Sequence, residues 1–138
     1  LLTDPGYSAR LRDLWEHDPQ AGVPDINLLR VGRHFRSGPA CKIVVGRDER
    51  ENAALEAFRT PQDALLYLKD HVGPKTLVRG RWGPEEIRLA AGLTIRYGDV
   101  PGKAPAEVIV DRRGGVPYVI TAECAREEEY APLRVAAS

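Results

Sequence analysis

Basic residues are gathered in one stretch of the chain, between Ile26 and Arg47. This stretch holds five arginines and lysines and no aspartate or glutamate. Guanidinium and ammonium groups suit the oxygens of phosphate groups, because each N–H···O bond between them is charge-assisted. The pattern therefore predicts a surface that binds an anion. Its candidate contacts are Arg30, Arg33, His34, Arg36, Lys42 and Arg47.

Arg47, the last of these residues, directly precedes a predicted helix. Asp48 and Glu51 have the spacing of a capping box, which explains both of them structurally. Arg47 has no such explanation, because a cation just before a helix start is unfavourable against the helix dipole. An anion at that N-terminus would reverse the argument. We therefore expect Arg47 to hold a phosphate, and Asn52 to fix the turn or to contact the ligand.

A second basic cluster occupies the matching place in the next predicted strand pair. Trp82 follows it and offers a flat ring on which an unpaired base can stack. The alternative interpretation is that these charges are solvated and protect strand edges from aggregation. The members of the second cluster are Lys69, His71, Lys75, Arg79 and Arg81.

The sequence contains no catalytic motif. There is no Walker-type loop, no GxSxG, no GxGxxG and no HExxH. The histidines at 17, 34 and 71 lack metal-ligand spacing, and Cys41 and Cys124 form no CxxC pair. We therefore predict no catalytic residue, no metal site and no cofactor in this chain.

Length and charge restrict the class of protein further. The 138 residues fit one domain with its own core, and 20 Lys and Arg balance 20 Asp and Glu. This balance argues against a basic coat for nucleic acid, but acids are concentrated at residues 13–25 and 123–130, so a local basic face remains allowed. With no signal segment, no membrane-length apolar run and two cysteines, we expect a cytoplasmic protein. The chain opens with LLTDPGYS and contains no methionine, so we expect it to be a piece of a longer protein.

Hydrophobic periodicity predicts an alternation of strands and helices after a first short helix. The predicted helices cover residues 7–17, 48–60 and 83–98, and a Glu-rich, partly helical tail follows residue 122. The predicted strands cover residues 26–36, 41–45, 63–69, 75–80, 106–111 and 116–122, the third of which could also be a helical turn. The order ββα-ββα-ββ predicts a single α+β domain. We expect a mixed sheet of about six strands with the helices on one face.

Two stretches, KIVVGRDERENAALEAF and DALLYLKDHVGPKTLVRG, resemble the RNA-binding domain of the NFACT family (NFACT-R, or DUF814-like). The resemblance covers roughly residues 26–122. It departs from the family where Asp48 replaces an asparagine and where LLYLKD replaces an aromatic-histidine motif. The matching positions are Gly46-Arg47-Asp48, Asn52, Gly73-Pro74, Ala90, Ala91 and Tyr97.

The opening LLTDPGYSARLRDL resembles the segment that follows the PP-loop domain in tRNA thiouridylase-like enzymes. The chain thus looks like the divergent subfamily fused C-terminal to such enzymes. This resemblance implies a helix and linker over residues 1–25 and an NFACT-R-like domain over 26–138. It also implies non-catalytic binding of RNA, with tRNA as the expected partner. ATP would be used by the missing PP-loop domain, which would be a second partner in tRNA thiolation.

Two other functions fit the residues. A protein-docking module of the same enzyme would expose an apolar patch instead of a basic one. A small enzyme would need a pocket that contains an acid, base or thiol with a perturbed pKa.

Overall fold

The computed structural model describes residues 5–136, which form one six-stranded sheet with helices on both of its faces. The helices are α1 (Pro5–His17), α2 (Val23–Leu28), α3 (Glu49–Phe58), α4 (Pro84–Arg96) and α5 (Glu127–Tyr130). The strands are β1 (Arg33–Gly38), β2 (Cys41–Val45), β3 (Ala64–Leu68), β4 (Thr76–Gly80), β5 (Ala106–Arg112) and β6 (Tyr118–Ala122). None of the helices between residues 5 and 136 is long and apolar enough to cross a bilayer.

The strand order is β1-β2-β4-β3-β5-β6, and every neighbouring pair is antiparallel. The predicted α+β class and the six strands are confirmed, but the expectation of a mixed sheet is wrong. Helix α3 returns the chain so that β3 runs in the same direction as β2. These two strands do not pair, because β4 lies between them and is antiparallel to both.

The core has two layers, one on each face of the sheet. Helix α4 packs on one face through Ile87, Ala91 and Ile95, among others. On the other face, Leu28 of α2 and Leu55 of α3 cover the centre of the sheet. The prediction of helices on one face only is therefore wrong. The reason lies in β2, whose five residues CKIVV are all buried, so that both of its faces need a cover.

The region before β1 differs most from the prediction. Residues 26–36 were expected to form one strand, but α2 extends to Leu28 and β1 begins only at Arg33. Pro24 lies in the first turn of α2, and the Asp25 carboxylate accepts a hydrogen bond from Gly22 N–H at 3.3 Å, as expected for a helix start. Gly32 then has a φ of +81°, which turns the chain into the strand.

The other predicted elements are confirmed with small shifts of their ends. The ambiguous stretch 63–69 contains strand β3, and the Glu-rich tail contains the short helix α5. Asp48 caps α3, because its side chain accepts a hydrogen bond from Glu51 N–H at 2.8 Å. The capping box is only half present, since the Glu51 carboxylate turns to Arg47 N–H instead.

Candidate nucleic-acid interface

Four of the predicted contact residues meet at a surface cleft of about 480 Å³, which we call the junction cleft. The turn between β2 and α3 forms one side of it, and the loop between β3 and β4 forms the other. Its lining thus comes from segments that are far apart in the sequence. The four predicted residues in this lining are Arg33, Arg47, Asn52 and Lys75.

Asn52 joins the two sides of the junction cleft. Its Oδ1 accepts a hydrogen bond from Lys75 N–H at 3.0 Å, and Gly46 N–H donates to the Lys75 carbonyl oxygen at 3.0 Å. A Cβ at Gly46 would overlap the Asn52 side-chain oxygen, so this approach requires glycine. Of the two expected roles of Asn52, the structure shows the fixing of the turn.

Arg47 is held by Glu51 one helical turn away. Arg47 Nε and Nη2 donate to the two carboxylate oxygens at 2.8 and 2.6 Å, and Arg47 N–H donates to Oε1 at 2.9 Å. These hydrogen bonds lower the pKa of Glu51 to about 2. The argument that only an anionic ligand explains Arg47 is therefore wrong. The Arg47 side chain is nevertheless 48% exposed at the rim of the cleft.

The two other cations of the cleft lie against aromatic rings. The Arg33 guanidinium lies 4.2 Å from the ring centroid of Tyr97, which also lines the cleft. Lys75 Nζ lies 4.4 Å from the ring centroid of Tyr67 and 3.7 Å from a carboxylate oxygen of Glu56. Arg33 is thus positioned by an aromatic ring, and Lys75 is positioned by a ring and a long ion pair. Sequence analysis matched Tyr97 to the family pattern but did not include either tyrosine among the contacts.

Carboxylates also line the junction cleft, so it is not a field of positive charge. Asp48 is engaged in the helix cap and Glu56 faces Lys75, while Glu49 and Asp99 are exposed. The cleft therefore offers directed N–H donors and the positive end of the α3 dipole rather than a net charge.

The basic stripe predicted on the first strand is not a surface feature. Arg36 donates twice to the Asp13 carboxylate of α1, with Nη2 to Oδ2 at 2.8 Å. Arg79 of β4 bonds to Asp63 at 2.8 Å and to Asp25 of α2 at 3.2 Å. The prediction of a phosphate-binding stripe is wrong here, because these cations hold α1 and α2 on the sheet. We call this set the buried ion-pair network: Asp13, Asp25, Asp63, Arg36 and Arg79.

His34 and Lys42 are the least accessible of the predicted contacts, at 2% and 5% exposure. Burial, and next the charge of Lys42, lowers the pKa of His34 well below its ordinary value, so the imidazole is neutral. His34 Nε2 lies 2.9 Å from the Val31 carbonyl oxygen. Burial, and next the Arg36 guanidinium, lowers the pKa of Lys42 to about 8. His34 does not reach the surface, and Lys42 lines only a cavity of about 230 Å³ that residues of α1 and α2 border, which corrects the prediction that both lie on an open basic face.

The remaining predicted contacts are exposed but lie outside the junction cleft. Lys69 forms a long ion pair with Glu107 at 3.6 Å, on the open face of β5. The others are Arg30, His71 and Arg81, for which the structure shows accessibility and no shared site.

The two other functions, a small enzyme and a protein-docking module, each predict a feature that can be checked in the structure. Burial raises the pKa of the Cys41 thiol, which disfavours the reactive thiolate that an enzyme or sulfur relay would need. Exposed apolar side chains occur on the β5–β6 hairpin, where Val116 is 87%, Tyr118 43% and Val119 44% accessible. The docking hypothesis therefore retains one specific candidate surface.

Comparison with known proteins agrees with this architecture. A solved structure described as the C-terminal of the fibronectin/fibrinogen-binding protein from Streptococcus suis superposes with a TM-score of 0.62 at 13% identity. The match covers 94% of this chain and 68% of that chain, and it supports the fold. No curated protein sequence gives a significant match. The family model for the NFACT protein RNA-binding domain matches residues 32–133. This chain therefore belongs to the NFACT RNA-binding domain family.

Proposed function

We propose that this domain binds tRNA through the junction cleft, as the non-catalytic RNA-binding part of a tRNA sulfur-modification enzyme. Membership of a family of RNA-binding domains supports RNA as the partner. The observation that carries the choice of surface is the convergence of Arg33, Arg47 and Lys75 from three separate segments on one open cleft.

The cleft suits the sugar-phosphate backbone more than a base edge. Arg33 and Lys75 present N–H donors that stand on tyrosine rings, and a phosphate between them would receive bonds from both sides. Asn52 keeps the Lys75 backbone at a fixed distance from α3, so the two walls of the cleft do not need to be ordered on binding. The junction cleft would thus bind the RNA backbone without reading the base sequence. Any discrimination between sequences would come from other surfaces.

Removal of the two tyrosine-supported cations tests this proposal. Arg33→Ala with Lys75→Ala should weaken tRNA binding at least about tenfold and lower the dependence of log affinity on log salt by about one unit per lost phosphate contact. The matched control is Arg12→Ala, which removes an arginine from a different surface cavity. Filter binding over a salt series measures both effects. Unchanged affinity in the double variant, or a wild-type affinity that is independent of salt, would show that the junction cleft does not bind tRNA.

The parent protein in this proposal is a tRNA thiouridylase-like PP-loop enzyme of the cytoplasm. Its PP-loop domain would use ATP to activate a uridine and would contact this domain as an intramolecular partner. The resemblance of the opening segment, residues 1–14, supports this assignment; residues 1–4 lie outside the described residues. Mass spectrometry of tRNA nucleosides from cells that lack the parent gene should show the loss of one thiouridine. An unaltered nucleoside profile would separate this domain from tRNA thiolation without affecting RNA binding itself.

A further inference from the structure

A second surface depression lies between the start of α4 and strand β6, and we call it the α4–β6 groove. Its volume is about 440 Å³. The apolar side chains Ile87 and Ile120 line it, together with Ala122. Trp82 and Tyr118 lie in the same lining, so that two aromatic rings border one open depression. Neither ring takes part in the junction cleft.

The two aromatic side chains of the groove are partly accessible, and that of Trp82 is held by a hydrogen bond. Trp82 is half-buried, and its indole Nε1–H donates to the Gln62 carbonyl oxygen at 3.2 Å, which fixes the plane of the ring. Tyr118 is 43% exposed, and its hydroxyl forms no hydrogen bond within residues 5–136. A fixed indole beside an exposed phenol on an apolar floor is the arrangement on which unpaired bases stack.

Within residues 5–136, the arginines around the groove are not paired with carboxylates. Arg81 precedes Trp82, Arg88 lines the groove, and the Arg112 guanidinium lies 5.0 Å from the centroid of the Trp82 ring. In the part of the chain that the structure describes, none of these three arginines forms an ion pair with a carboxylate. This distinguishes them from Arg36, Arg47 and Arg79, all of which do.

The acids of the first turn of α4 do not cancel this charge. The Glu86 carboxylate accepts a hydrogen bond from Gly83 N–H at 2.6 Å and serves as part of the helix start. Glu85 lines the neighbouring cavity, which shares Arg88 with the groove, and forms no ion pair with Arg88. An apolar floor with aromatic walls and an arginine rim is complementary to a base that carries its phosphates, and not to an apolar peptide.

We propose that the α4–β6 groove binds an unpaired nucleotide of a single-stranded RNA segment, with its base on Trp82 and Tyr118 and its phosphates at Arg88 and Arg112. The inference rests on the proposed RNA-binding function and adds the class of RNA, a strand with unpaired bases. The junction cleft would hold backbone, and the groove would read the presence of an exposed base.

Trp82 fluorescence tests the stacking directly. The chain contains two tryptophans, so Trp15→Phe in the full chain leaves Trp82 as the only one. A short oligouridylate should quench its emission, because a stacked base quenches indole. An abasic ribose-phosphate strand of the same length should not. Equal quenching by both strands would show phosphate contact only and would overturn the proposal.

Substitutions then separate the groove from the cleft. The probes are one RNA hairpin with a blunt end and the same hairpin with a single-stranded 3′ extension. Trp82→Leu and, separately, Tyr118→Leu should weaken binding of the extended hairpin about tenfold, a typical worth of one stacked base, and leave the blunt one unchanged. Trp82→Phe, which keeps an aromatic face, should retain most of the affinity. Tyr118 is exposed, so its variant remains informative if Trp82→Leu fails to fold.

The outcomes distinguish this inference from the proposed function. If Tyr118→Leu binds both hairpins like wild type while Arg33→Ala weakens both, the groove is excluded and the junction cleft stands. If wild type binds neither hairpin, nor tRNA, the proposed function fails and the groove falls with it. If Tyr118→Leu instead abolishes a concentration-dependent self-association seen by ultracentrifugation, a second copy of the chain covers the groove and the RNA proposal is wrong.

Discussion

Lys42 shows at the scale of one residue why a basic pattern in sequence can mislead. Its side chain lies under α1 and α2 between Arg36 and Arg79, and it forms no hydrogen bond or ion pair within residues 5–136. Asp13 and Asp25 act on it only from a distance, since their oxygens are bonded to the two arginines. A buried ammonium in this setting costs free energy of folding, which the depressed pKa expresses.

Removal of the Lys42 charge should stabilise the domain. Its pKa is about 8 in the folded chain against 10.5 for the free side chain, so the unfolded state binds more protons between these values and wild-type stability rises from pH 8 to 10.5. Below pH 8 the full cost is present, and Lys42→Met should raise the free energy of unfolding at pH 7 by up to about 3 kcal/mol. Urea unfolding at several pH values measures it. A less stable variant at pH 7 would mean that Asp13 and Asp25 depend on the ammonium.

The charge of Glu51 stabilises the folded domain, whereas the charge of Lys42 destabilises it. The folded pKa of Glu51, about 2, lies below the ordinary 4.5, so its contribution is complete above pH 4.5 and is lost as the pH falls towards 2. Glu51→Gln should lower the free energy of unfolding at pH 7 by about 1.5–3 kcal/mol, the worth of a hydrogen bond to a charged group. The free energies of unfolding of Glu51→Gln and of the wild type should approach each other as the pH falls towards 2. Glu49→Gln, at an exposed glutamate of the same first turn, is the matched control, and an equal loss there would assign the effect to the helix dipole.

At the scale of elements, local signals decided what the sequence could predict. Pro84 with Glu86 marked the start of α4, and the turn between residues 112 and 117 marked the β5–β6 hairpin, because these signals act within a few residues. The start of β1 was missed because Leu28, Leu29 and Val31 satisfy a helix and a strand pattern equally well over so short a span.

The site was harder to predict than the fold for a related reason. Arg36 and Asp13 are 23 residues apart, and nothing in their neighbourhoods indicates that they meet. The same holds for Asn52 and Lys75, which the strand order brings together across the junction cleft. The residue types in the sequence indicate Arg33, Arg47, Asn52 and Lys75 as candidates. Only the tertiary structure distinguishes them from Arg36 and Arg79, which form ion pairs inside the domain.

Asn52 makes a prediction about the β3–β4 loop as an element. Asn52→Ala removes the acceptor for Lys75 N–H and should cost about 1–2 kcal/mol, since a partly buried donor is left unsatisfied. Hydrogen exchange at the Lys75 amide should accelerate, and tRNA affinity should fall several-fold as the cleft loses its fixed width. Asn52→Asp keeps an acceptor in place and should preserve the protection of that amide. Unaltered exchange in Asn52→Ala would show that Gly46 and the loop itself hold this geometry.

At the scale of the whole molecule, a net charge of zero is the sum over two faces whose charged residues are paired to different extents. The acids of α1 and α2 neutralise cations of the sheet on the face that these helices cover. On the opposite face, around the start of α4, Arg88 and Arg112 form no ion pair with a carboxylate within residues 5–136. The chain therefore has an internally compensated side and a side that can attract phosphate, although its composition is balanced.

The attachment of α1 provides the last prediction. The sequence places residues 1–25 in a helix and linker that belong to the preceding domain, whereas Asp13 of α1 is paired with Arg36 at 13% and 16% side-chain exposure. Asp13→Asn should leave Arg36 half-buried and uncompensated and should lower the free energy of unfolding by about 3 kcal/mol. Asp13→Asn with Arg36→Met removes both charges and should recover most of that loss, because a buried pair costs almost as much desolvation as it returns. Both effects should persist in high salt, which screens buried pairs poorly. If Asp13→Asn unfolds at the same urea concentration as wild type, α1 is only loosely attached and the boundary at residue 25 is the correct one.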